Sequence, residues 1–219
     1  MDEAKRFIRY VIPGLAFLLQ LSTVGLLIFS YDQIKDFLNL NIAFTAFFAS
    51  GIIGYLFSSL YYVLHWGFYI KHFAKLDFKD IILKNKNLFS SYKINDQIKQ
   101  TDAAMTMTSY WEIDIVERGT SNNSITGVMR TYFNVFHSIG TTILIMLFGL
   151  GLGIIILCCN DTSIFYYVIY VIGNLVVILI LCCNYRLVEC MIQNLYNRVF
   201  EKLTSKQAED IKSKNYEVI

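Results

Sequence analysis

The 219-residue chain holds a single proline, Pro13, and four long stretches, 10 to 30, 42 to 64, 134 to 158 and 164 to 183, contain no aspartate, glutamate, lysine or arginine. Scarcity of proline removes the commonest reason for a helix to break. The missing charge is more decisive. Charged residues make up 16% of the chain and apolar residues 55%, with a mean hydropathy of +0.47, which excludes an ordinary domain folding in water. Histidine is also sparse, at three residues, and the net charge of +2 is too small to indicate direct nucleic-acid binding.

Each charge-free stretch has roughly the 17 to 25 residues that a helix needs to cross hydrocarbon. The sequence therefore predicts an all-α, polytopic membrane protein with four transmembrane helices. The first apolar run is too long for a signal peptide and no small-residue cleavage pattern follows it, so it is expected to remain as an uncleaved span. Pro13, one turn into that span, is expected to bend or terminate its inner end.

Basic residues near membrane segments stay on the cytoplasmic side. Lys5, Arg6 and Arg9 precede the first span; nine lysines and arginines lie in 65 to 133, and six lie after the fourth span. The two remaining connections hold only Lys35. Both termini and the central connection are thus expected in the cytoplasm, with Asp32, Asp36 and Asp161 outside. The expected organisation is an N-terminal hairpin over 1–64, a cytoplasmic helical connection over 65–133, a C-terminal hairpin over 134–183 and a cytoplasmic helical tail over 184–219.

Within the connection, Ile94, Ile98, Met105, Trp111 and Ile115 approximate one helical face before "GTSNNS" at 119 to 124 breaks it. In the tail, Val188, Ile192, Leu195, Val199 and Leu203 step by four and three, continuing the fourth span as an amphipathic helix. These faces can bury one another in a small helical domain.

Helices in a bilayer associate through close backbone approach and buried polar contacts. Ala46, Ser50, Gly54 and Ser58 recur every four residues in the second span, and Gly149 and Gly153 share that spacing in the third. They would join two helices within a subunit or between subunits, and a homo-oligomer is expected. Gln20 and Asn174 are amides near mid-membrane and each needs a hydrogen-bond partner; helix–helix bonding is expected over a polar path for water or ions. Aromatic residues at 61, 62, 66 and 69 inside, and at 165 to 167 outside, fit interfacial anchors.

The repeated "ILCCN" at 156 to 160 and 180 to 184 suggests a metal site or disulfides. The topology separates the pairs by about 30 Å, and adjacent helical cysteines point about 100° apart, which suits neither. They read as small polarizable residues, with palmitoylation of Cys182, Cys183 or Cys190 as an alternative.

Arg130, Asn134 and His137 fall at i, i+4 and i+7, hence on one helical face. They are the candidate catalytic residues, since the metal-independent HEPN ribonucleases use an Arg and a His separated by four to six residues on a helix; here six intervene and Thr131 follows the Arg. Against catalysis, His137 would sit deep for an RNA strand, and a polar collar tying the inner domain to the third span is the expected role. His65, His72, His137 and Glu112 could gather around a metal, yet no close His-x-x-x-His or Glu-x-x-His spacing supports it, so no metal or cofactor is expected.

The whole layout, with four spans, both ends inside and an Asn-, Lys- and Ile-rich inner connection, resembles the four-span accessory proteins encoded beside Cas13b in type VI-B CRISPR systems, and small membrane effectors of other anti-phage systems. The resemblance implies a bacterial inner-membrane effector or regulator of defence, not an enzyme, partnered by a cytoplasmic defence protein and forming or gating an oligomeric pore on a cytoplasmic cue. A membrane-anchored ribonuclease and a passive scaffold that recruits a cytoplasmic partner are the competing functions.

Overall fold

Backbone N–H and C=O groups in hydrocarbon have no water to bond, so an apolar run of this length is driven into a helix that satisfies them internally. The computed structural model describes residues 2–29, 40–72, 74, 77–89, 92, 94–95, 97–110, 123–160 and 162–216, without the side chains of 2–8, 40, 41, 43, 71, 123–130 and 202–216. Helix α1 is Asp2–Ile28; α2 is Leu40–Leu64, continued by a wider π-type turn at His65–Tyr69 and by Ile70–His72. Two short helices follow, α3 at Phe78–Lys84 and α4 at Gln100–Ser109. The long α5, Asn123–Cys159, and α6, Ile164–Tyr216, complete the chain. No strand occurs among the described residues. The protein is all-α, and four of its helices are long and apolar enough to cross a membrane: Arg9–Ile28, Phe44–Tyr69, Thr131–Cys159 and Ile164–Glu201 contain the apolar spans of a multi-pass membrane protein.

The chain divides into two units, one built from Met1–Leu64 and Asn134–Leu187, the other from His65–Phe133 and Val188–Ile219. The first is a four-helix unit whose exterior is oily: Leu19, Ile52, Val63 and Leu179 are each more than 60% exposed. In water such a surface would aggregate; in a bilayer it is the solvated face. Its interior includes Val24, Met146, Leu150, Leu157, Tyr170 and Ile178.

Helices α1 and α2 meet at their backbones. A methyl on Gly14 would overlap the Ser50 carbonyl, and one on Gly54 would overlap the Tyr10 carbonyl. Ser50 is fully buried and its hydroxyl donates to the Phe47 carbonyl at 2.6 Å, so it enters the contact with its own hydrogen bond made. Ser58 is buried and Ala46 half-buried. Helix α1 does not end at Pro13 but passes through it. The carbonyl that loses its helical donor to this proline is that of Arg9, at the edge of the apolar span.

The second unit is an aromatic core. Phe89, Ala103, Ala104, Met107 and Phe200 have no exposed surface, and Phe89 lies 4.5 Å from the Tyr110 ring and 5.6 Å from that of Phe200. Tyr196 and Phe200 stack almost parallel, at 4° and 5.9 Å. Asp77 caps α3 by accepting the Asp80 N–H at 2.9 Å, and Lys84 closes it with a 2.7 Å ion pair to Asp80, whose hydrogen bond and charge hold the ammonium above the usual lysine range. The expected apolar face of the connection is corrected here. Helix α4 starts only at Gln100, its buried positions are Ala103, Ala104 and Met107, and Met105 is 58% exposed. The helical period accounts for it: Ala103, Ala104 and Met107 fall within about 100° of one another, and Met105 points away from them. Trp111 and Ile115 lie outside the described residues. In α6, Val188, Ile192 and Val199 are buried and Leu195 half-buried, joined by Tyr196, Phe200 and Glu189; the side chain of Leu203 lies outside the described residues.

Candidate functional site

The two mid-membrane amides find each other. Gln20 Nε2 donates to Asn174 Oδ1 and to the Met146 carbonyl at 3.0 Å, so one side chain of α1 binds both α5 and α6. Asn174 Nδ2 donates to the Tyr170 carbonyl at 2.8 Å, and the Tyr170 hydroxyl donates to the Gly149 carbonyl at 3.0 Å. Gln20 is 5% exposed and Tyr170 3%. A buried polar group without a partner is costly in hydrocarbon, and this network removes most of that cost.

Gly149 and Gly153 create the room. A methyl on Gly149 would strike the Gln20 amide oxygen, and one on Gly153 would strike the Tyr170 hydroxyl. Gln20 Oε1 accepts no N–H or O–H bond among the described residues; it fills the space that a side chain at Gly149 would take. Both glycines of the α5 stripe, and Gly54 and Ser50 of the α2 stripe, are therefore occupied by packing inside one chain.

Of the three candidate catalytic residues, two are engaged with other groups. Asn134 Oδ1 accepts from Arg9 Nη1 at 3.1 Å, linking the third span to the first. His137 sits among rings: Tyr61 at 5.7 Å and edge-on, Tyr62 at 5.9 Å, and Phe136 beside it on α5. The Arg130 side chain lies outside the described residues. Around His137, the Tyr61 and Tyr185 hydroxyls share a 2.8 Å hydrogen bond and Phe136 stacks on Tyr185 at 4.2 Å. The arrangement is an aromatic collar that crosslinks α2, α5 and α6.

In the second unit, His65 stacks on Tyr69 at 5.4 Å across the π-type turn, and the Tyr69 hydroxyl donates to Glu189 Oε2 at 3.1 Å. Glu189 is 1% exposed. His72 packs against Phe68 at 5.1 Å. No group of three or more His, Cys, Asp or Glu side chains converges among the described residues, and Glu112 of the considered metal set lies outside them. All five cysteines are free and exposed.

Sequence reasoning missed Arg9 as the partner of Asn134, Tyr170 and Tyr185 as hydrogen-bonding members of the helix contacts, and Glu189. For Glu189 a signal exists: it precedes Ile192 and Tyr196 by three and seven residues, so a carboxylate stands on the apolar face of α6. For the tyrosines none exists, because interfacial anchors and buried donors share a residue type. No protein-family model, curated protein or solved structure matches the chain.

Proposed function

We propose that this chain is a non-enzymatic regulator or effector of the cytoplasmic membrane of a bacterium, with four spans anchoring a helical module on the cytoplasmic side. The observation that supports this best is α6, one unbroken helix of 53 residues from Ile164 to Tyr216 that begins as an apolar span and continues with the buried stepping of Val188, Ile192 and Val199. The excess of basic residues in 65–133 and in the tail supports the cytoplasmic assignment. Anti-phage defence, with a cytoplasmic defence protein as partner, is the setting that the four-span layout suggests.

Within that reading, anchoring and signalling are favoured over conduction through a single chain. The mid-membrane amides bond to each other, and the glycine stripes are filled by residues of the same chain. These stripes thus give no argument for contacts between copies; a pore made by several copies would need other faces. Liposomes carrying the full-length protein are expected to hold an ion gradient in the absence of a cytoplasmic partner. In cells, the wild-type protein is expected to confer phage resistance, and Phe200→Ala to abolish it while leaving the protein in the membrane fraction. Spontaneous flux from the purified protein, or full resistance with Phe200→Ala, contradicts the proposal.

A further inference from the structure

Arg9 is the first residue of the apolar span of α1, and among the described residues it is held by neutral groups. Its Nη1 is held by the neutral Asn134 amide at 3.1 Å, and its guanidinium carbon lies 5.8 Å from the Tyr10 ring centre. Tyr10 is in turn braced edge-on by Tyr55 at 5.5 Å. The Arg9 Nε is enclosed and makes no hydrogen bond, and among the described residues no carboxylate pairs with this guanidinium. The residue as a whole is only partly buried.

A guanidinium carries five N–H donors in a planar fork that matches phosphate, and partial removal from water strengthens its pull on an anion. At the boundary of an apolar span, the anion within reach is a lipid phosphate. We propose that Arg9, oriented by Asn134, binds the headgroup phosphate of an anionic phospholipid. A zwitterionic lipid offers the same phosphate with a cation attached, so net negative charge is the selecting feature. Asn134 acts as a positioning residue: it fixes one edge of the fork and leaves the guanidinium's charge for the lipid.

The test is a titration of the detergent-solubilised full-length protein with phosphatidylglycerol, phosphatidylcholine or inorganic phosphate, with bound lipid counted by native mass spectrometry. Wild-type protein should prefer phosphatidylglycerol to phosphatidylcholine. Arg9→Gln should lower phosphatidylglycerol affinity about fivefold, the worth of one cation at an anionic surface, and erase the preference. Arg9→Lys, which keeps the charge but loses the fork, should keep the preference for phosphatidylglycerol while binding it more weakly, and Asn134→Ala should fall between wild type and Arg9→Gln. An unchanged preference in Arg9→Gln overturns the proposal, as does phosphatidylcholine binding as tightly as phosphatidylglycerol. Displacement of the lipid by inorganic phosphate at equal concentration overturns it too, in favour of a free-anion site. Should Arg9→Gln fail to fold, the wild-type protein decides: a preference that does not weaken as salt is raised contradicts a charge-based site.

Discussion

Gln20 of α1 and Asn174 of α6, separated by 154 positions in sequence, are joined side chain to side chain in the middle of the bilayer-spanning unit. Their coupling is expected to be about 0.6 to 2 kcal/mol, the range for interhelical hydrogen bonds in membranes. A double-mutant cycle of Gln20→Leu and Asn174→Leu, read by unfolding in mixed micelles, measures it. A coupling indistinguishable from zero would mean that each amide is served equally well by backbone carbonyls.

Glycines of the unit fall into two groups, and their alanine variants should too. A methyl at Gly54 meets the Tyr10 carbonyl and at Gly149 the Gln20 amide, whereas Gly151 and Gly173 face open space. Gly54→Ala and Gly149→Ala are expected to destabilise by about 1 to 3 kcal/mol through overpacking. Gly151→Ala and Gly173→Ala should change stability by less than about 0.5 kcal/mol. Equal effects at all four positions would show that helix propensity, not close approach, sets the outcome.

Topology is open to direct reading. In a background with every native cysteine replaced by serine, Ser163→Cys and Asn194→Cys place exposed thiols at the start of α6 and within its continuation. A membrane-impermeant maleimide on intact cells should label position 163 and reach position 194 only after permeabilisation. The reverse pattern would invert the orientation assigned from the basic residues.

The spans were legible because a bilayer imposes a length and forbids charge, and both constraints are written into consecutive residues. The need of Gln20 and Asn174 for partners was legible for the same reason. Choice of partner was not: Asn134 bonds Arg9 from 125 positions away, a pairing set by how helices rotate against one another. The buried face of α4 escaped because alanine carries little hydrophobic signal, although Ala103 and Ala104 are fully buried there.

The collar at Tyr61 and Tyr185 separates a packing role for His137 from a chemical one. Tyr185→Phe removes one side of a buried 2.8 Å hydroxyl pair while keeping the ring on which Phe136 stacks, so a loss of about 0.5 to 1.5 kcal/mol is expected. His137→Ala removes ring contacts with Tyr61 and Tyr62 and should destabilise further. His137→Phe, which restores an aromatic ring without titratable nitrogen, should recover most of that stability and the biological response together. Recovery of stability without the response would reinstate a chemical role for the imidazole.

Glu189 poses the sharpest contrast between polar and apolar replacement. It is a carboxylate 1% exposed on a helix face otherwise lined by Ile192 and Tyr196, and it accepts from the Tyr69 hydroxyl. Glu189→Gln keeps a side-chain oxygen in the same place and should unfold within about 1 kcal/mol of wild type. Glu189→Leu fits the apolar face but takes away an acceptor of the half-buried Tyr69 hydroxyl, and a loss of about 0.5 to 1.5 kcal/mol is expected. Tyr69→Phe in the Glu189→Leu background should cost less than the two single changes added together, since the hydrogen bond between them is lost only once. A coupling indistinguishable from zero between the two changes would show that the Tyr69–Glu189 contact does not hold the π-type turn against α6.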